Sequence, residues 1–308
     1  MKRIVITGAT GSIGRRVSDA LAKEGNQVCV FTRNIPHAKK KLPFINEFVE
    51  WDYRDPSGWK KSLEETDVII HLAGANLNSQ RWNSEFKQIA YESRVESLKK
   101  IIEETGKLNR KPEVIISASA VGYYGNRGDE ILTEEKNNSD NYLGILCRDW
   151  ENAAAGAEKF GIRWIALRTG LVLERDEGLM KKLLPAFRFF AGGTLGNGMQ
   201  WFPWIHIDDI CGIYLYSIKN NTLDGAVNAA SPGIIRMKEF AKVLGKILNR
   251  PVFFKIPRIA LRVISGELGN YATDSQRVSV EKLLNCGYKF RYEQIEAALK
   301  DLIKVPHK

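Results

Sequence analysis

"KRIVITGATGSIGRRVSDALAKEG", Lys2 to Gly25, combines a short β-branched run, a glycine-rich turn and a segment with Ile13, Val17, Ala20 and Leu21 at helical spacing, closed by Gly25. It reads as strand, turn and helix. Gly8, Gly11 and Gly14 give the turn the spacing G-x-x-G-x-x-G, directly after the strand and at the mouth of the helix. Glycines there let the backbone turn tightly and come close to a pyrophosphate, whose charge is favoured by the free N–H groups and dipole of the helix N-terminus. Thr10, Ser12 and Ile13 fall within the same cradle and are assigned to it. The glycine spacing alone is weak; the strand before and the helix after make it a nucleotide-binding signal.

The same alternation continues along the chain. "QVCVFT", "EFVEWD", "DVIIHLAG", "EVIISAS" and "IRWIALRTG" read as the second to sixth strands. A long amphipathic helix, "SEFKQIAYESRVESLKKIIEET", separates the fourth from the fifth. Another helix runs from about Ser139, taken as its N-cap, to Phe160. Strands alternating with helices mean an α/β fold, a doubly wound parallel sheet covered on both faces. After about Leu171 the rhythm changes, although "DDICGIYLYSIKN" and "GAVNAAS" add one more helix and strand. The expected division is a Rossmann domain of residues 1–170 plus about 205–230, and a smaller C-terminal α+β lobe of residues 171–204 and 231–308.

The 308 residues are 44% hydrophobic, enough for a substantial core, and a net charge of +10 would suit an anionic partner. Lys and Arg mostly alternate with Asp and Glu, so a generally basic surface accounts for the charge equally well. Cys29, Cys147, Cys211 and Cys286 have no paired spacing for zinc or a redox dithiol and read as thiols of a reducing compartment. With no run of about 18 apolar residues and no signal-peptide apolar region, a soluble cytoplasmic protein is expected. The expected partners are a small-molecule substrate of unknown identity and a second copy in a homodimer. Neither nucleic acid nor membrane is expected.

The second strand decides which nucleotide fits. An acidic residue at its end would bind a ribose 2′-hydroxyl, whereas a 2′-phosphate needs a cation. The strand ends "FTRN", with Thr32, Arg33 and then the basic run "HAKKK". NADP is therefore favoured over NAD, unless Arg33 is simply a solvated loop residue. Asp52 and Tyr53, ending the third strand, could hold the adenine amino group, or Asp52 could cap the next helix. Leu72, Ala73 and Gly74 in "HLAG" permit close backbone contact to ribose and pyrophosphate, while His71 reads as packed rather than catalytic. Arg81 and Arg94 are candidate charge partners of the cofactor.

"TGATGSIG", "HLAGA" and "ISASAVGYYG" together resemble the extended short-chain dehydrogenase/reductase superfamily. "LCRDWENAA", "LRTGLVL", "GNGMQWFPWIHIDD" and the pattern from Gly266 to Phe290 narrow this to its atypical, NAD-dependent epimerase/dehydratase-like branch with a C-terminal domain of unassigned function. The resemblance implies an NADP-bound Rossmann domain and hydride transfer near the nicotinamide, as in oxidoreductases and nucleotide-sugar epimerases. It also implies a serine after the fifth strand that orients substrate, a tyrosine acid/base, and a lysine that lowers the tyrosine pKa. A tyrosine near its ordinary pKa of about 10 is a poor base at neutral pH, and a nearby ammonium stabilises the phenolate.

Ser119 stands at the serine position, with Ser117 two residues earlier; the tyrosine and lysine are missing. Anchoring "NYLGILCRDWENAA" on Glu151 puts Leu143 at the tyrosine position and Cys147 at the lysine position. Tyr142 is adjacent, but one helical residue rotates a side chain by about 100°. Leu143, Leu146, Trp150 and Ala154 equally describe an ordinary buried helix face. Substitutes for the tyrosine are sought in Tyr123 or Tyr124, and in His206, which titrates near neutrality unless "HIDDI" is a helix start capped by Asp208. Trp201 and the other aromatics of "MQWFPW" would wall a substrate pocket or pack the lobes together. Three functions remain: an NADP-dependent oxidoreductase or epimerase-like enzyme with an atypical site, a non-catalytic NADP(H)-binding regulator, and, least supported, a nucleic-acid binder.

Overall fold

The computed structural model describes residues 1–303. Its centre is a sheet of seven strands, all parallel: β1 (Arg3–Thr7), β2 (Gln27–Thr32), β3 (Glu47–Glu50), β4 (Val68–His71), β5 (Val114–Ala120), β6 (Arg163–Thr169) and β7 (Gly225–Ala229). They lie side by side in the order β3-β2-β1-β4-β5-β6-β7. The chain thus reverses direction across the sheet between β1 and β4, the place where a doubly wound sheet opens a crevice at its strand C-termini. The strands are apolar throughout because both faces are covered. Ile4, Ile6, Val30 and Ile116 pack on one side, and Val5, Phe31, Ile69 and Ile115 on the other.

Helices α1 (Ser12–Lys23) and α7 (Ile207–Lys219) cover the first side through Val17, Leu21, Ile210 and Ile213. The second is covered by α4 (Ser97–Gly106) and α5 (Tyr142–Ala155), through Leu98, Ile101, Leu146 and Trp150. Each such side chain contributes roughly 1.5–3 kcal/mol by leaving water. The helix α2 (Ile35–Lys41) follows β2, capped by the Asn34 side chain on the His37 N–H.

Two expectations need correction. The long helix between β4 and β5 is interrupted: α3 (Ser84–Tyr91) passes into a π-turn, Glu92–Glu96, before α4. The α5 cap is Asn141, whose side chain accepts from the Gly144 N–H, rather than Ser139; a 3₁₀ turn over Gly156–Phe160 continues beyond it. Ser139 instead fills the space beside Gly125 and Gly144.

The remainder comprises α6 (Gly178–Arg188), α8 (Met237–Leu248), α9 (Arg258–Ser265), α10 (Leu268–Tyr271), α11 (Glu281–Asn285) and α12 (Ile295–Ile303), tied by two-stranded pairings. One of these joins Gly193–Leu195 to Phe254–Ile256. Among the described residues no helix is long and apolar enough to cross a membrane.

Candidate functional site

The glycine turn has the geometry its spacing predicts. Gly8 adopts φ +67°, and a Cβ there would run into the Leu72 carbonyl at the end of β4. A Cβ on Gly14 would lie 2.5 Å from the Gly8 carbonyl oxygen. Both glycines are therefore required for β1, β4 and α1 to converge. Gly11 is the N-cap of α1 and offers no side-chain cap, which leaves N–H groups of the first turn available to an anion. Close by, the Ser12 hydroxyl donates to Glu174, and Arg16 pairs with the same carboxylate at 3.2 Å. Burial pushes the Glu174 pKa up, against the pull of Arg16. Nothing in the sequence pattern marked Glu174.

At the end of β2, Thr32 is half-buried and Arg33 is exposed. Asp52 accepts from the Arg54 N–H at 3.0 Å and caps its own turn, while the Tyr53 hydroxyl donates to Glu92 at 2.9 Å. Leu72, Ala73 and Gly74 line the crevice beside β1, with the Ala73 N–H on Thr7 Oγ1.

The π-turn brings Ser93 and Arg94 to this loop. Ser93 Oγ accepts from the Ala75 N–H at 2.9 Å, and Arg94 donates to the carbonyls of Ala75 (2.9 Å) and Ala90 (3.1 Å). The Arg94 guanidinium also lies 5.4 Å over the Trp150 ring and touches Gly74, where a Cβ would come within 2.8 Å of it. Burial pulls the Arg94 pKa down, with Cys147 and Tyr142 as the neighbours that hold it up. Among the described residues it has no carboxylate partner. A half-buried cation that bonds only to carbonyls is costly, so this position has a use for an anion. Arg81, by contrast, donates to the Val263 carbonyl at 2.8 Å and ties its loop to α9.

His71 is fully buried and packed, between the rings of Trp51 and Trp150. The Ser97 hydroxyl donates to the Ser93 carbonyl at 2.8 Å, so His71 Nε2, 2.9 Å away, donates to Ser97. Nδ1 is left without a partner. Burial and then the charge of Arg94 pull the His71 pKa down to about 3.

The polar centre of the site lies at the C-terminal ends of β5, β6 and β7. Ser119, Arg168 and Asn228 are register neighbours across the three strands and all are buried. Above them on α5 sits Glu151. Arg168 pairs with it at 2.9 Å through Nε and 2.7 Å through a terminal nitrogen, and the Ser119 hydroxyl donates to the same carboxylate at 2.6 Å. Arg168 also donates to the Tyr124 hydroxyl at 2.8 Å, which donates to Asn228 at 2.7 Å. Burial opposes the charge on Arg168, but the hydrogen bonds it donates to Glu151 outweigh it and raise its pKa. The guanidinium lies 3.6 Å from the centre of the Tyr123 ring. The hydroxyl of Tyr123 has no hydrogen-bond partner among the described residues.

The structure therefore brings together Ser119 and Tyr123, both resting on one buried ion pair. In the sequence Glu151 served only to anchor an alignment and Tyr124 stood as an alternative to Tyr123; Arg168 and Asn228 were missed. The available signal was Arg168, a second arginine directly after the apolar run Trp164–Leu167 in "IRWIALRTG". Leu143 packs toward Gly122, and Cys147 lies against the Ser119 hydroxyl and the Ala120 backbone. Both thus face the end of β5. Burial, then Glu151, pushes the Cys147 thiol up to about 12. Ser117 is buried, its hydroxyl on the Ala118 carbonyl at 2.9 Å.

Trp201 and His206 have other neighbours. Trp201 donates to Asp129 at 2.8 Å, and the guanidinium groups of Arg236 and Arg277 lie 4.2 and 4.8 Å from its ring centre. His206 stacks on Tyr292 at 3.9 Å and faces Asp208 and Asp301. It is itself the cap of α7, its Nδ1 accepting from the Asp208 N–H at 3.1 Å, which corrects the expectation that Asp208 is the cap. The N–H in need of an acceptor is that of Asp208.

The strand order, the glycine cradle and the serine at the end of β5 define a Rossmann-type protein of the extended short-chain dehydrogenase/reductase class. The chain belongs to the NAD dependent epimerase/dehydratase family, which it matches over residues 4–230; residues 256–302 match a domain of unknown function, DUF1731. It is 32% identical over 303 residues to the chloroplastic epimerase family protein SDR39U1 homolog of Arabidopsis thaliana, covering 98% of this chain and 86% of that one. The crystal structure of human epimerase family protein SDR39U1 (isoform 2) with NADPH superposes with a TM-score of 0.86 at 27% identity, over 97% of this chain and 98% of that chain. A nucleoside-diphosphate sugar epimerase from Corynebacterium glutamicum superposes at 0.75 with 33% identity, over 97% of this chain and 57% of that one.

Proposed function

We propose that this chain is an NADP(H)-binding atypical short-chain dehydrogenase/reductase that carries out oxidoreductase or nucleotide-sugar-epimerase-like chemistry without a Tyr-x-x-x-Lys pair. The human relative solved with NADPH supports the choice of cofactor. So does the fit of the residues: Gly8 and Gly14 let β1, β4 and the uncapped N-terminus of α1 converge, and Arg33 is exposed at the end of β2. In this reading Arg33 meets the 2′-phosphate, and Arg94 supplies the cation otherwise expected from a lysine. Bound NADP(H) supplies hydride transfer at the nicotinamide.

The observation that carries the catalytic reading is that Ser119 and Tyr123 share the Glu151–Arg168 support. Because the Ser119 proton is committed to Glu151, its oxygen offers lone pairs and holds a substrate hydroxyl by accepting from it. Tyr123 keeps its hydroxyl proton for the substrate oxygen, with Arg168 under its ring. The buried thiol and Leu143 exclude water from the positions they fill. NADPH turnover against panels of carbonyl compounds and sugar nucleotides tests this. Ser119→Ala and Tyr123→Phe should each lower the rate with the melting temperature kept; full rates in both variants would refute the assignment.

One observation favours a second reading, a non-catalytic NADP(H)-binding regulator. Cys147, at the lysine position, is a thiol held protonated by burial, so it neither activates a tyrosine nor attacks a substrate. This reading predicts NADPH binding, no turnover with any panel, and a partner protein whose affinity changes with cofactor occupancy. The cytoplasmic assignment belongs to the same proposal; the unpaired thiols Cys29, Cys147 and Cys211 suit a reducing compartment.

A further inference from the structure

The positive charge of this chain is not evenly spread. Residues 178–207 contain three Lys or Arg and no Asp or Glu, and residues 240–266 contain six and none, against a net charge of +10 for the whole. The fold joins these two stretches through the pairing of Gly193–Leu195 with Phe254–Ile256, and Arg250 donates to the Arg188 carbonyl at 3.1 Å.

The same region exposes large apolar side chains. Phe189 is 81% exposed, Phe253 80% and Ile259 77%, with Phe190, Phe254 and Val263 also exposed. Ile259 and Val263 are four apart and share one face of α9, beside the exposed Arg258 and Arg262. Lys255, Arg258 and Arg262 form no ion pairs among the described residues. Phe190 is held outward by the backbone. The end of α6 is a Schellman turn, with the Phe190 N–H on Phe187 O and the Ala191 N–H on Ala186 O. Its left-handed position, ordinarily glycine, is Phe190 at φ +63°. An aromatic residue in that conformation costs stability, and its ring projects into solvent under the Arg250 guanidinium.

We propose that this face, built from the end of α6, the Phe253–Phe254 segment and α9, docks on an anionic lipid bilayer. Its phenylalanine, isoleucine and valine side chains enter the headgroup boundary while the surrounding arginines and Lys255 meet lipid phosphates. The charge selects this occupant. A second copy of the chain would set one cationic face against another, and Ile259 and Val263 offer nothing that stacks on nucleic-acid bases. This revises the expectation of no membrane partner, which rested on the lack of a long apolar run.

The test is co-sedimentation of the full chain with vesicles of phosphatidylcholine alone and of equimolar phosphatidylcholine and phosphatidylglycerol. Wild type should sediment with the anionic vesicles only, and salt should release it. Phe189→Ser with Phe190→Gly should weaken binding by about tenfold or more, as should Arg258→Glu with Arg262→Glu. Phe190→Gly relieves the left-handed strain, so the first pair remains folded, which thermal melting verifies. Wild type left in the supernatant, or variants that sediment like wild type, would overturn the proposal. So would a wild-type dimer in analytical ultracentrifugation, or retention on duplex DNA without vesicle binding, that both pairs of substitutions abolish.

Discussion

Replacing Glu151 by Gln keeps the volume and removes the charge that Arg168 is paired with. The carboxylate accepts three hydrogen bonds, from Ser119 at 2.6 Å and from Arg168 at 2.9 and 2.7 Å, with the two ion-pair side chains only 3% and 8% exposed. The amide has one acceptor oxygen and turns an N–H₂ toward donors. Breaking a buried pair from one side costs about 3–5 kcal/mol. Arg168 keeps the Tyr124 hydroxyl at 2.8 Å and the Glu134 carbonyl at 3.0 Å. The lower end therefore applies, about 3 kcal/mol, which at this chain length lowers the melting temperature by roughly 5 °C. Urea unfolding and thermal melts measure it. Glu151→Gln with Arg168→Met removes both charges and should lose less than the sum of the single variants, with a coupling of about 2 kcal/mol. A Glu151→Gln cost below about 1 kcal/mol, or strict additivity, would show that this pair does not support the site.

Three further outcomes are expected. His71 stays neutral down to about pH 3 in the folded chain but titrates near its ordinary 6.5 when unfolded, so the unfolded state binds more protons between these values. Stability then falls as pH falls through that window, by up to about 1.4 kcal/mol per unit from this residue. Urea unfolding near pH 7 and near pH 5 should show a shallower loss in His71→Leu than in wild type, and equal losses would contradict the assignment. Arg94→Met should leave the melting temperature unchanged or raise it, because a desolvated cation is removed, while NADPH affinity falls by about tenfold. A lower melting temperature with unchanged affinity would make Arg94 structural. Gly8→Ala forces a Cβ against the Leu72 carbonyl from a left-handed backbone, and it should cost at least about 2 kcal/mol and abolish cofactor binding in a fluorescence titration.

The sheet was legible because buried parallel strands carry continuous apolar runs and because the Gly8–Gly14 spacing needs a particular junction to make sense. The polar centre was much less so. Ser119, Arg168 and Asn228 are brought level by strand register, which no local pattern encodes, and Glu151 reaches them from a helix. Arg94 owes its position to the π-turn, a slip in backbone hydrogen bonding that leaves the amphipathic pattern of "SEFKQIAYESRVESLKK" intact. His71 was readable as packed from its strand. His206 joined the candidate pocket on its titration range, whereas the structure sets it against Tyr292 and Asp301, nearly 100 residues later in the chain.

In the proposed function the Gly8 cradle and Arg33 bind NADP(H). Its most direct test is calorimetric titration of wild type and Arg33→Glu with NADPH and with NADH. Saturable binding is expected, with NADPH tighter than NADH by about tenfold or more in wild type and the preference lost in Arg33→Glu. No saturable heat with either nucleotide, or a preference that survives the substitution, would contradict it.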